Sequence, residues 1–335
     1  MGSQNNKPTL VSLARELGVS RQTISNVINA PHLVKAETLE RVRAAIERSG
    51  YRPSALGRAL RTNRSMNLAL RVHTSEDDIN GNVMDRFLHS LADAARAASY
   101  RITIFTAVDS DAEIAELDGL RAVNAVDGCI LTDTTERDDR PRRLAELGCP
   151  FVAFGRPWGQ LPGTHAWVDV DCATGTRDAT LTLHRSGHTR IGFLGWGPGL
   201  GTGADRRGGW REAVDGLVPD PDDLSLQVED GVAAGRAAAA ELRRRGATAV
   251  VCASDSLALG ALPEFARTDD PFVPVVGFDD TPVTRALGVS SVAQPVDEAA
   301  RFCVATLVGL LRGEVDPAEH QQLLTPRLKL RERVA

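Results

Sequence analysis

Apolar residues recur at helical spacing in the first fifty positions, in three separate runs. Leu10, Leu13, Ala14 and Leu17 give a first helix one apolar face, with Thr9 placed to cap it. Gly18 supplies the permissive backbone of a sharp turn, and Ser20 caps a second helix from about Arg21 to Ile28, with Ile24, Val27 and Ile28 facing inward. A third helix runs from about Ala36 to Ser49 on Leu39, Val42, Ala45 and Ile46, and Gly50 ends it. From Tyr51 to Ser65 a short segment sets Arg52, Arg58, Arg61 and Arg64 around Leu56 and Leu60, with Pro53 and Ser54 placed to start a helical turn. Alone that turn is too short to be stable.

After Ser65 the pattern changes to short apolar strands alternating with amphipathic helices. Strands are expected over Asn67–Val72, Arg101–Thr106, Gly128–Thr132 and Phe151–Phe154, with helices Val83–Ser99, Asp111–Asn124 and Asp139–Leu147 between them. A second series has strands Ala166–Val170, Arg190–Leu194, Ser225–Val228, Ala249–Cys252 and Val273–Gly277. Its helices are Cys172–Ser186, Asp205–Leu217, Gly231–Arg245 and Asp255–Arg267. Two such series imply two similar lobes, each a parallel sheet covered on both faces, with a ligand at the carboxyl ends of the strands where the lobes meet.

The two-helix pattern at the N-terminus is that of a helix-turn-helix, and the outward residues of its second helix suit base reading. Arginine can grip guanine with two donors, and glutamine or asparagine can pair with adenine, so Arg21, Gln22, Asn26 and Asn29 are candidate readers. Charge supports this. The first 64 residues carry 11 Lys+Arg against 4 Asp+Glu, whereas the whole chain carries 39 against 44. A basic head on an acidic body concentrates attraction for phosphate at one end. The Tyr51–Ser65 segment fits a helix that folds in a DNA minor groove with a leucine wedged between base steps.

At 335 residues, 42% hydrophobic and 25% charged, the chain has material for two or three domains. No apolar run approaches a membrane span, and MGSQNNKPTL carries no apolar export core. The five cysteines are scattered without a CxxC pair, which fits reduced core residues of a cytoplasmic protein. Neither a metal site nor a cofactor is expected: His184 and His188 lack a nearby third ligand, and the glycine-rich GWGPGLGTG contains no GxGxxG. With no GxSxG and no GxxxxGK[ST] either, an enzyme is not the expected reading.

Polar and aromatic groups gather at the expected strand ends. They include Arg156 and Trp158 after Phe154, Trp196 after Leu194, and Asp205 and Trp210 in the following helix. Carboxylates and arginines can each make two hydrogen bonds to vicinal hydroxyls, while an indole covers the apolar face of a pyranose. That set suits a sugar.

The order VSLARELGVSRQTISNVIN, VKAETLERVRAAIERSGYRPS and ALGRALRTNRS resembles the lactose-repressor/galactose-repressor (LacI/GalR) family over nearly the whole chain, and FGRPWG and GWGPG resemble actinobacterial sugar regulators. The resemblance implies an all-α helix-turn-helix head (1–50), a hinge (51–65) and a two-lobed α/β, periplasmic-binding-protein-like core of doubly wound parallel sheets. The chain would cross between lobes near His165, Gln294 and Leu323, giving a first lobe of 66–164 plus 295–322 and a second of 165–294 plus 323–335. Helix Val296–Arg312 would return to the first lobe and a strand near Leu323–Leu330 to the second.

The resemblance also implies a homodimer on near-palindromic operator DNA. Thr9, Ser20, Arg21, Gln22, Thr23, Asn26 and Asn29 of the head, and Ser54, Leu60 and Arg61 of the hinge, are the expected DNA contacts, with Leu60 as the wedge. Expected effector contacts are Arg207 of the RxxGW stretch, Ser254 of ASD and Asp279 of GFDD, beside Arg156, Trp158, Trp196, Asp205 and Trp210. The function implied is a cytoplasmic repressor of sugar-utilisation genes, released by a small sugar such as a β-glucoside or an oligosaccharide. A corepressor-type regulator and a solute-binding protein are the alternatives.

Overall fold

A computed structural model describes residues 8–51, 64–72, 81–159, 165–197, 201–217, 221–265 and 273–331. The chain divides into two compact units, Met1–Ser65 and Met66–Ala335.

In the first unit, α1 (Leu10–Leu17) starts at Thr9, whose hydroxyl accepts from the Ser12 amide at 3.1 Å while Ser12 Oγ accepts from the Thr9 amide at 2.8 Å. Two orphan amides are thereby satisfied reciprocally. Gly18 closes the helix in the left-handed region at φ 63°. Helix α2 (Arg21–Asn29) is capped by Ser20, and α3 (Ala36–Ser49) has the bounds that its apolar stripe predicts. Leu13, Ala14, Ile24, Val27, Val42, Ala45 and Tyr51 form the core they share. The hinge expected over 51–65 lies, from Arg52 to Asn63, outside the described residues.

The second unit contains two six-stranded sheets. The first comprises β1 (Asn67–Arg71), β2 (Arg101–Phe105), β3 (Gly128–Leu131), β4 (Phe151–Phe154), β5 (Trp167–Val170) and β11 (Gln321–Leu324), in the order β11-β5-β4-β3-β1-β2. All its pairings are parallel. Helices α4 (Gly81–Ala97) and α12 (Val296–Arg312) cover one face through Phe87, Leu91, Val304 and Leu307. On the other face lie α5 (Ser110–Ala122) and α6 (Arg140–Glu146), through Ile114, Leu117 and Leu144.

The second sheet comprises β6 (Ile191–Gly195), β7 (Ser225–Gln227), β8 (Ala249–Cys252), β9 (Val275–Phe278), β10 (Ser290–Ala293) and β12 (Arg327–Lys329), in the order β12-β10-β9-β8-β6-β7. Only β12 runs antiparallel. It is covered by α7 (Cys172–Arg185), α8 (Gly201–Val214), α9 (Val232–Arg244) and α10 (Asp255–Phe265), with a short α11 (Pro282–Ala286) after β9.

Two expectations about the lobes are corrected. Strand β5 belongs to the first sheet, paired with β4 and β11, so the chain crosses after Val170 rather than near His165. The single last strand expected over Leu323–Leu330 is two: β11 adds to the first sheet, and β12 to the second. Thr325-Pro326 separates them, and proline, lacking an N–H, cannot carry a ladder through that point. The first and last lobe boundaries therefore fall at 170–172 and 324–327 instead of 164/165 and 322/323, while the middle one lies at 293–296, around the expected 294/295.

Candidate functional site

On α2, Arg21 and Gln22 are exposed and Asn26 is half-exposed, while Ile24 and Val27 on the opposite face are buried. Gln22 Nε2 donates to Asn26 Oδ1 at 2.9 Å, so the two amides are held side by side one turn apart. Ser20 Oγ caps Thr23 N at 3.0 Å and pairs with Thr23 Oγ1 at 2.9 Å. The two hydroxyls thus sit at the N-terminal end of α2, where orphan amides and the helix dipole favour phosphate. Thr9 holds the same place on α1. The Asn29 side chain and Ser54, Leu60 and Arg61 lie outside what is described.

In the α/β unit the carboxyl ends of both sheets carry charged and aromatic side chains. From the first lobe, Arg156 follows β4. Its Nε donates to Asp169 Oδ2 at 2.9 Å and its Nη2 to Asp205 Oδ2 at 2.6 Å, so one guanidinium joins a carboxylate of β5 to one of α8 across the two lobes. Burial raises the pKa of both aspartates, against the pull of Arg156. The guanidinium also lies 4.4 Å from the Trp158 ring centroid, and Trp158 Nε1 donates to Thr134 Oγ1 at 3.1 Å. Trp158 packs directly on Gly201, the first residue of α8, where a Cβ would fall 2.1 Å from the indole.

From the second lobe, Arg206 of α8 is 3% exposed and sits 3.8 Å above the Phe278 ring and 5.0 Å from that of Trp196. It donates to the Ala253 carbonyl, and its Nη2 lies 3.7 Å from Asp279 Oδ1. Asp279 accepts from Gln294 Nε2 at 2.6 Å and holds a positive φ of 112°, unusual for a residue with a Cβ. Burial pushes its carboxyl up to about 7, against the attraction of Arg206. Arg206 Nε and Trp196 Nε1 are buried and have no hydrogen-bond partner among the described residues. A buried donor left without a protein partner needs an explanation, and a ligand acceptor beside both supplies one.

The structure brings Arg156, Trp158, Trp196, Asp205 and Asp279 of the expected effector set to these strand ends, and corrects three others. Trp210 is fully buried in the second-lobe core, its Nε1 donating to the Ile191 carbonyl at 3.1 Å and its ring stacked on Phe193. Arg207 points away, to Ser225 Oγ at 3.0 Å and the exposed Asp222 at 3.0 Å. The arginine of the RxxGW stretch is Arg206, four residues before Trp210. Ser254 is enclosed, capping Leu257 N and donating to Asp230 Oδ1 at 2.5 Å, so it positions that half-buried carboxylate. Arg206, passed over for its neighbour Arg207, and Asp230, Gln294 and Thr134 were not among the expected contacts. Strict R-x-x-G-W spacing would have found the first; the other three carry no signal in one sequence.

Residues 9–54 match the family model described as bacterial regulatory proteins, lacI family, and 180–333 match that of a periplasmic binding protein-like domain. The regulator CelR of Thermobifida fusca is 32% identical over 322 residues, spanning 92% of this chain and 93% of its own. The chain belongs to the LacI family. As a family member it is a DNA-binding transcriptional regulator with a helix-turn-helix head and an effector-binding body. A solved complex of CelR with cellobiose aligns at a TM-score of 0.71 and 30% identity, covering 98% of this chain and all of the other. The lac repressor dimer bound to operator and the anti-inducer ONPF aligns at 0.79 and 20% identity over 98% and 99% of the two chains, which shows the shared fold. No helix among the described residues is long and apolar enough to cross a membrane.

Proposed function

We propose that this LacI-family regulator is a homodimeric repressor whose effector is a neutral sugar, a β-glucoside or short oligosaccharide, bound between Trp158 and Arg156 on one lobe and Trp196, Arg206 and Asp279 on the other. The observation that carries the reading is the pair of buried, unpartnered donors, Arg206 Nε and Trp196 Nε1, beside the acceptor Asp279. A sugar hydroxyl accepts from one side and donates to the other, whereas a purely apolar ligand would leave both donors orphaned. The indoles supply the apolar faces that a pyranose covers. Likeness to a relative solved with cellobiose supports the same class.

On the DNA side, Arg21, Gln22 and Asn26 read bases while Thr9, Ser20 and Thr23 hold phosphates, and Asn29, Ser54, Leu60 and Arg61 complete the contact. Effector binding acts by preferring one lobe arrangement, which is what couples the body to the head. The reading places a binding protein, not a catalyst, in the cytoplasm.

The test is fluorescence anisotropy on DNA from the gene's own upstream region, at two salt concentrations, followed by a panel of mono- and disaccharides. Salt-sensitive binding relieved by a β-linked disaccharide is expected. Relief by no sugar, or binding strengthened by a non-sugar ligand, rejects the proposed effector class. The absence of any sequence preference rejects the operator reading.

A further inference from the structure

Three of the five cysteines sit singly in the cores of the two lobes, but the other two thiols meet. Cys129, the second residue of β3, and Cys149, in the turn before β4, place their Sγ atoms 4.0 Å apart. Each is buried, at 1% and 4% exposure. The approach is built by the backbone. Gly148 turns the chain at φ 60° after α6, and Cys149 N donates to the Leu144 carbonyl at 2.8 Å. Cys129 N donates to the Pro150 carbonyl at 3.0 Å. Gly128 admits that carbonyl, since a Cβ at 128 would lie 2.6 Å from it. Cys172, Cys252 and Cys303 are also buried and free.

The chemistry of the two sulfurs differs. The contact with Cys129 and, more weakly, the Arg121 guanidinium hold the Cys149 thiol below the ordinary thiol value, against the opposing effect of burial. The same contact and full burial push Cys129 well above it. Arg121 is fixed there by its own bond to the Leu147 carbonyl at 2.9 Å. Two adjacent thiols of which one has the lower pKa are the arrangement of an attacking and a resolving cysteine.

We infer that Cys129 and Cys149 form an oxidisable pair, closed to an intramolecular disulfide by a small peroxide. The Cys149 sulfur attacks hydrogen peroxide, the O–O bond breaks, and a sulfenic acid forms with release of one water once the Cys149 proton is counted. The Cys129 sulfur then attacks the Cys149 sulfur. The S–S bond forms, the S–O bond breaks, and the leaving hydroxide takes the Cys129 proton as the second water. Two thiols lose two electrons and one peroxide becomes two waters. Closure brings the sulfurs from 4.0 Å to the roughly 2 Å of a disulfide, within one loop-and-strand pair.

The place of the pair gives the bond a consequence. Two residues before Cys129, Asp127 accepts from the Met66 amide at 3.0 Å, and Asn67 Nδ2 donates to the Ala125 carbonyl at 3.0 Å. Met66 and Asn67 are where the chain enters the α/β unit from the DNA-binding head. Cross-linking Cys129 to Cys149 stiffens the segment that clasps this entry.

The full-length protein is treated with hydrogen peroxide, then denatured and labelled with N-ethylmaleimide. The expected result is loss of two of the five labels, restored by dithiothreitol, with one cross-linked peptide joining Cys129 to Cys149. Cys149→Ala and Cys129→Ala each abolish the cross-link, and Cys303→Ala leaves it intact. Amide exchange at Met66 slows in the oxidised protein. Five labels retained after peroxide, a Cys149 sulfinic acid without cross-link, or a cross-link surviving in Cys129→Ala overturns the proposal. Unchanged exchange at Met66 overturns its link to the chain entry. The peptide map on the unsubstituted protein decides the chemistry even where an alanine variant folds poorly.

Discussion

Replacing Arg206 with methionine gives a pH-dependent loss of stability whose size follows from its surroundings. Arg206 is buried, donates to the Ala253 carbonyl and faces Asp279 at 3.7 Å. Methionine fills part of the volume and stacks on Phe278, but strands the Ala253 carbonyl, which costs about 1–3 kcal/mol at any pH. The remaining penalty depends on Asp279. Its carboxyl is raised from 3.8 to about 7 even with the guanidinium beside it. A carboxyl raised on folding contributes stability below its unfolded value that is lost as pH rises through the folded one. In the parent protein that loss ends near pH 7. Without Arg206 the folded value rises further, so the loss continues to higher pH. Above pH 7 the variant goes on losing stability, at up to about 1.4 kcal/mol per pH unit, until its Asp279 ionises.

Urea unfolding followed by tryptophan fluorescence reads this directly, because Trp158, Trp167, Trp196 and Trp210 all lie in the α/β unit. The expected penalty is larger at pH 8.5 than at pH 5.5, and Asp279→Asn added to Arg206→Met removes the difference. Arg207→Met, whose partner Asp222 is exposed, costs under about 1 kcal/mol. Equal penalties at both pH values, or a larger effect from Arg207 than from Arg206, refute the reasoning.

Ser20→Ala removes the α2 cap and destabilises the head by about 1 kcal/mol, measured by thermal melting. Gln22→Ala and Asn26→Ala each weaken binding to the upstream DNA by about 1–3 kcal/mol without changing its salt dependence; a reduced salt slope instead marks a phosphate contact. Gly209→Ala puts a Cβ 1.9 Å from the Ala173 carbonyl, in the seam where Thr176 Oγ1 also donates to the Arg206 carbonyl at 2.7 Å. It separates α7 from α8, lowering stability by at least about 1–3 kcal/mol in the same urea assay.

Elements with a continuous apolar stripe were legible in the sequence: α3 and α12 have the predicted bounds. Where polar residues do internal work, the pattern failed. Strand β10 reads as polar because Ser291 is buried to donate to Asp255 at 2.6 Å, while Ser290 accepts from the Arg331 amide at 3.1 Å. Helix α8 begins at Gly201, four residues before the predicted start at Asp205, because glycines that weaken helical propensity are what let Trp158 and Trp196 pack on its first turn. The membership of β5 and β11 in the first sheet depends on pairing across more than 150 residues, which local periodicity does not encode. Trp210 looked like a ligand platform because nothing in the sequence shows that the Ile191 carbonyl satisfies its N–H.

The chain crossings explain why the candidate site sits where it does. Asp169 lies in the last strand before the first crossing, and Ala173 in the first turn of the helix just after it. Asp205 Oδ2 accepts from both the Ala173 amide, at 3.0 Å, and Arg156 Nη2, and Arg156 also holds Asp169. One charged chain of contacts therefore runs from the first sheet, over the crossing, to the helix that carries Arg206. A side chain on α8 cannot move far relative to the first lobe without stretching it. Trp158 reaches Gly201 along the same line, so aromatic contact and ion pair bridge the lobes at one place. A ligand seated among Trp158, Arg206 and Asp279 competes with or reinforces those bridges. Its affinity must then differ between lobe arrangements, and that difference is the free energy available for regulation.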